Sequence, residues 1–184
     1  MFTILTLLGH SGENFERLYS QLRPMVDRWI VVLDQGMEFN APGATIVRAL
    51  LPNGPDFGSL RNQGLAAAQG GWVLHLDSDE WFSRMQLDFL RRFVMPRIDS
   101  DVDCIKLPRR NISPEGDWLG WPDMRPCLHQ AKLDVFWLGK VEEWPQNVTK
   151  IAGVDDDSLA ILHLQLDRKA RELAHDLRQA VLNS

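Results

Sequence analysis

Two aspartates one residue apart, Asp77 and Asp79, follow the apolar run WVLHL at 72–76 and precede Glu80. Side chains at i and i+2 of an extended chain point the same way, so a strand ending here can aim both carboxylates at one point. Hard divalent cations take oxygen ligands, and Mg2+ commonly uses one or two carboxylates and completes its shell with substrate phosphates and water. The turn therefore suits a cation held against a diphosphate. It equally suits a solvated acidic turn that caps the next helix. Ligands of open α/β sheets gather outside the carboxyl ends of the strands, and that position favours the first reading. A further acidic residue, Asp34, ends the apolar run WIVVL at 29–33.

Positioning such groups takes a rigid frame, and the first half of the chain reads as one. FTILTLL at 2–8 is a buried strand. Phe15, Leu18, Leu22 and Met25 recur at helical spacing within 14–26. WIVVL at 29–33 and ATIVR at 44–48 are two more strands. Asp56 is placed to cap a helix over 57–69 that Gly70-Gly71 stop, and 72–76 is the fourth strand. Ser83 and Gln86 have capping-box spacing ahead of Leu87, Leu90 and Val94, with Pro96 ending that helix. The alternation predicts an α/β fold with a mostly parallel central sheet flanked by helices.

From residue 101 the texture changes. Short apolar runs occupy 102–107, 126–129, 133–138 and 159–164, with a Trp/Pro/Gly-rich stretch from Gly116 to Pro126. Ala170, Leu173, Leu177 and Val181 predict a closing helix over 167–182. The 184 residues fit a single domain: a core over 1–110, then strands, loops and a helix over 111–184.

A net charge of −5 argues against a broad basic surface for nucleic-acid backbone. Arg91-Arg92 with Arg97, and Arg109-Arg110, read as solvated faces. Cys104 and Cys127 match no zinc spacing, and Cys104 reads as a small core residue. The seven Trp suit core packing or a ligand cleft. MFTILTLLGHSGEN lacks a basic leader and no run approaches ~20 apolar residues, so the expectation is a cytoplasmic chain with no transmembrane segment.

The stretch PDFGSLRNQGLAAAQGGWVLHLDSDEWFS resembles the core of family 2 glycosyltransferases of the GT-A fold. Arg61-Asn62, Gly70-Gly71-Trp72 and Asp77-Ser78-Asp79-Glu80 match that family in order and spacing. FTILTLLGHSGENFERLYSQL and WIVVLDQG are similar to its first strand and helix and its second strand. The resemblance covers residues 2–110 well and the remainder loosely. It implies a GT-A-like nucleotide-sugar transferase in which Asp79 is the principal ligand of Mn2+ or Mg2+. Asp77 would reach the ribose or the metal through water, Asp34 would bind the base or ribose, and Arg61 would sit by the nucleotide or brace the acidic turn. LGKVEEWP is similar to a G-x-V-H-E segment whose Glu lies near the acceptor, which nominates Glu143; Glu142 stands where that family has His. AILHLQ is similar to a segment whose His completes the metal shell, which nominates His163. NISPEGDWLGWPDMRPCLHQ is similar to the loop before a further strand, with Arg125 and His129 as candidates.

Sugar transfer requires the departing nucleoside diphosphate to be neutralised and the acceptor hydroxyl to lose a proton. The first task falls to a cation on Asp77, Asp79 and His163. The second falls to Glu143, with Glu142 and Asp123 behind it. Trp118, Trp121 and Trp144 are candidate walls for the sugar. Family habit adds inversion at the anomeric carbon, a UDP-sugar donor, and a glycan, lipid-linked or other hydroxyl acceptor; a modified nucleobase is a further acceptor class. Two other readings fit the residues: a nucleotide-sugar-binding module with little activity, and a nucleotidyltransferase. The second would carry a basic phosphate loop near the first strand, and GHSGEN has no Lys or Arg before Arg17.

Overall fold

The computed structural model describes residues 1–8, 12–33, 39, 41–49, 56–113, 116–117, 123–132, 134–140 and 143–164. Its strands are β1 (Phe2–Leu8), β2 (Arg28–Leu33), β3 (Thr45–Arg48), β4 (Trp72–His75), β5 (Glu80–Trp81), β6 (Cys104–Ser113), β7 (Gly116–Asp117), β8 (Asp123–Gln130), β9 (Phe136–Leu138), β10 (Trp144–Gln146), β11 (Ile151–Gly153) and β12 (Ile161–Leu164). The α-helices are α1 (Gly12–Leu22), α2 (Phe57–Ala66) and α3 (Arg84–Phe89).

Among the described residues, the main sheet runs β3-β2-β1-β4-β8-β6-β12-β5, with β7 and β11 also on β6, while β9 and β10 form a separate hairpin. The first four strands are parallel. β8 is then antiparallel to both β4 and β6, β12 is parallel to β6, and β5 is antiparallel to β12. The sheet is therefore mixed, which corrects the expectation of a mostly parallel one. A parallel pair needs a crossover of about a dozen residues or more. Only residues 114–122 separate β6 from β8, so the chain returns antiparallel, with a bulge between Ile105 and Leu107.

Every residue of β1 is buried, because the strand is covered on both faces. Phe2, Ile4 and Leu8 join the larger core with Phe15, Leu18 and Leu22 of α1, Trp29, Phe82 and Leu87. Leu5 and Leu7 face the other way, against Ile30, Val32 and Val73 with Leu60 and Leu65 of α2. Gly64 lets α2 lie close on this second face: a Cβ there would stand 2.6 Å from Leu5 Cδ1. Both expected caps form, with Asp56 Oδ1 accepting from Ser59 N and Ser83 and Gln86 closing a capping box. α3 is shorter than its apolar spacing predicts, passing into a π turn at Leu90–Val94 and a 3-10 turn at Met95–Arg97. The helix expected over 167–182 lies outside the described residues. Among those described, no helix is long and apolar enough to cross a membrane.

Candidate functional site

The parallel core delivers its fourth strand into the acidic turn. β4 ends at His75, Leu76 N still donates to Leu5 O, and the turn closes when Glu80 N donates to Asp77 O at 3.0 Å. Glu80 then starts β5, whose pairing sets His163 of β12 opposite it. That register brings His163 Nε2 within 3.2 Å of Asp79 Oδ2. The β6–β12 register puts Asn111 beside the same ring, with its Oδ1 2.7 Å from His163 Nδ1. Both ring nitrogens thus face acceptors, which suits the doubly protonated imidazole. Burial alone would lower the His163 pKa; the hydrogen bond and charge of Asp79 outweigh it and raise it. Asp79 answers in kind: burial works upward, the bond to His163 outweighs it, and its pKa is lowered.

A second cluster centres on Arg61 of α2, whose residue is 6% exposed. Its Nη2 donates to Asp77 Oδ2 at 2.9 Å, its Nε to Glu143 Oε1 at 2.7 Å, and its Nη1 lies 3.3 Å from His75 Nδ1. The guanidinium rides over the Trp137 ring at 5.1 Å. Burial works against its charge, but Asp77 and Glu143 more than offset that, so its pKa is raised. His75 touches His129 at 2.8 Å between their Nε2 atoms. Burial holds both imidazoles neutral, with His129 pushed down to about 4.

Glu80 links the clusters. Its Oε2 accepts from Asp77 N at 3.0 Å and its Oε1 lies 3.6 Å from Arg109 Nη1. Burial first, then the charges of Asp77 and Asp79, raise its pKa to about 7. Arg109, expected on a solvated face, instead has a side chain only 17% exposed and is bound to Asp123 at 2.7 Å. Arg125 shares that carboxylate at 3.1 Å.

Of the residues nominated from sequence, Arg61, Asp77 and Glu143 converge, and Asp79 meets His163. Asp34, Glu142, Trp118 and Trp121 lie outside the described residues. Trp144 is 39% exposed, with Lys106 Nζ 5.0 Å from its ring centroid. His75, Trp137 and Asn111 belong to the site without having been singled out, while Glu80 was read only as part of the acidic turn and Arg109 only as part of a solvated pair. Of the first three, His75 left a trace in sequence, as a polar residue in an apolar strand two residues before Asp77. Among the described residues, no three His, Cys, Asp or Glu side chains come together closely enough to hold a metal ion by themselves.

No family model matches the chain. It is 29% identical over 122 residues to a TPR repeat-containing protein of Synechococcus elongatus, across 60% of this chain and 30% of that protein. The chain thus spans less than a third of the curated relative it matches. Among solved structures it is similar to S. aureus TarS 1-349, with TM-score 0.55 and 13% identity over 89% of this chain and 60% of that one. It is also similar to a mycobacterial protein, with TM-score 0.48 and 22% identity over 61% of this chain and 41% of that one. At that identity the likeness to TarS is one of fold alone.

Proposed function

We propose that this chain binds a nucleotide sugar through a divalent cation, Mn2+ or Mg2+, at the Asp77–Asp79 turn and transfers the sugar to a hydroxyl acceptor. The observation that carries this reading is a single atom. Asp77 Oδ1 is buried with no hydrogen-bond partner. A buried carboxylate oxygen left unpaired is costly, and a cation is one way to satisfy it. The position of the turn at the carboxyl end of a central strand, in a fold like that of the glycosyltransferase TarS, adds support. The residues fit such an ion if substrate oxygens and water complete its shell, as Mg2+ commonly requires. The cation would neutralise charge developing on the departing nucleoside diphosphate.

Within this reading Asp79 and Asp77 would hold the cation. His163, whose Nε2 lies 3.2 Å from Asp79 Oδ2, would join them only in its neutral form and with some movement toward Asp77. Arg61 fixes Asp77, and Asp34 takes the base or ribose of a UDP-sugar. Glu143 accepts the acceptor hydroxyl's proton, with inversion at the anomeric carbon. Asp123, the reserve base, is engaged by Arg109 and Arg125. The acceptor class is a glycan, a lipid-linked sugar or another hydroxyl.

Incubation with a panel of UDP-sugars and Mn2+, read by UDP release and by thermal shift, tests the proposal. Donor at about 100 times its Kd should stabilise the chain by about 2.7 kcal/mol, and only with the cation present. Asp79→Ala should lose both the shift and the release while keeping its circular dichroism. Metal-dependent turnover in that variant ends the assignment. One observation favours a second reading, a nucleotide-sugar-binding module with little turnover: Arg61 already occupies Glu143 Oε1 through both Nε and Nη2. A cation-dependent shift without UDP release selects it.

A further inference from the structure

We propose that His75 and His129 are positioning residues, a two-ring chain of fixed hydrogen-bond direction that keeps the Arg61 guanidinium shared between Asp77 and Glu143. The part of this inference that concerns turnover rests on the transferase reading above; the order of the hydrogen bonds does not.

The direction follows from the two ends. Arginine can only donate, and a backbone carbonyl can only accept. At one end Arg61 Nη1 faces His75 Nδ1 at 3.3 Å, so Nδ1 must be the acceptor. At the other, His129 Nδ1 lies 3.1 Å from Gln130 O, so that nitrogen must carry a proton. Between them the two Nε2 atoms are 2.8 Å apart, a gap that holds one proton. With Nδ1 bare, a neutral His75 carries its proton on Nε2 and donates it to His129 Nε2. An independent contact agrees: Trp137 Nε1–H points at the same His129 Nε2 from 3.4 Å and needs an acceptor there. All the protons in the chain therefore point away from Arg61. The rings stack with centroids 4.9 Å apart and planes 26° from parallel, and neither is more than 3% exposed. They stand on β4 and β8, which pair directly, so the chain hangs on the sheet itself.

What the chain prevents is a collapse of the shared arrangement. A guanidinium facing one carboxylate prefers the two-pronged fork, and Arg61 faces two. Here Nε and Nη2 reach Glu143, Nη2 also reaches Asp77, and Nη1 is held by His75. Released from His75, the guanidinium is free to turn so that one carboxylate takes both prongs and the other loses its partner. The rings thus tie the acidic turn, on the β4 side, to Glu143, on the hairpin side.

Long-range 1H–15N NMR of the 15N-histidine-labelled full chain reads the tautomers directly. His75 is expected as the Nε2–H form and His129 as the Nδ1–H form; the reverse assignment, or a charged ring at neutral pH, overturns the inference. Two substitutions then separate positioning from packing. His75→Asn keeps an acceptor near the place of Nδ1, whereas His75→Leu fills the space without one. The Arg61 Nε–H resonance should stay sharp and slowly exchanging in the Asn variant and broaden or shift in the Leu variant. With turnover measured, His75→Leu should lower kcat about tenfold or more, with a smaller change in donor KM, and His75→Asn should stay within about threefold of wild type. A Leu variant that equals or exceeds the Asn variant in both readouts overturns the proposal. If either variant fails to fold, the wild-type tautomers and the Arg61 signal of His129→Gln, which keeps an acceptor near Nε2, decide between positioning and packing. Absence of transfer by the wild type retires the transferase reading alone, because neither NMR readout depends on it.

Discussion

Glu80 is a carboxyl group denied water and set between two aspartates, and its pKa near 7 makes the site sensitive to neutral pH. The native group is harder to ionise than the unfolded one, whose value is near 4.5. Its contribution to stability is therefore fully present below about pH 4.5 and is lost as pH rises through about 7. Glu80→Gln keeps an acceptor for Asp77 N and removes the ionisation. In chelator, the variant and wild type should melt together near pH 4, and the variant should gain on the order of 3 kcal/mol at most by pH 8. Parallel melting curves across that range would refute the effect. The acidic spacing itself was legible, since a strand followed by Asp-Ser-Asp-Glu dictates where carboxylates emerge. His129 was nominated, but its partnership with His75 was not legible: the two meet across 54 residues, and no local pattern encodes a contact made by sheet order. Arg109 misled for the same reason. A basic pair looks solvated until β8 brings Asp123 beside it.

α2 is the element on which the site's two sides meet. Its first-turn N–H groups, usually left to caps or water, are spent on the loop that leads toward Glu143: Phe57 N donates to Lys140 O at 3.0 Å and Gly58 N to Gly139 O at 3.1 Å. One turn on, Asn62 clasps the Trp137 backbone, accepting from its N at 2.6 Å and donating to its O at 2.8 Å. Gly58 permits the approach, because a Cβ there would lie 2.7 Å from Gly139 O. Gly58→Ala should cost about 1–3 kcal/mol and reduce donor-dependent turnover by displacing the loop, as denaturant melts and UDP release would record. Gly153→Ala, whose Cβ would meet only Met124 Cε at 3.7 Å, is the control and should change neither. The start of α2 was readable from Asp56, whereas its end was placed too late. Ala67, Ala68 and Gln69 are good helix formers, but the chain must turn back for β4, and Gln69 takes a left-handed φ of 54° to do so.

At the scale of the whole molecule, a parallel half is joined to an antiparallel one. The first half was legible because its inner strands β1, β2 and β4, largely buried, read as unbroken apolar runs between helices. The second half was not, because short strands that return on themselves carry little periodicity and the order in which they pair is a tertiary matter. Asp103 fastens this half. Fully buried, it accepts from Thr149 N, Thr149 Oγ1, Lys150 N and Lys132 Nζ. Burial pushes its pKa up, and the bonds from Thr149, Lys132 and Lys150 drive it well below the ordinary range. That stability is present above about pH 4 and is lost only in strong acid, as pH falls through the native value. Asp103→Asn, offering one acceptor oxygen where two are used, should cost about 2–4 kcal/mol at pH 7 by urea melts. A loss under about 0.5 kcal/mol would mean that the cluster does not fasten this half.

The place of β12 sets a timetable. It slots between β6 and β5, so the ring that meets Asp79 arrives on a strand made some eighty residues after the turn it serves. During synthesis the acidic turn emerges first and waits, with β5 lacking its neighbour. Only when residue 163 clears the ribosome can that seam close, so a stalled or clipped nascent chain would present the acidic lip without its imidazole.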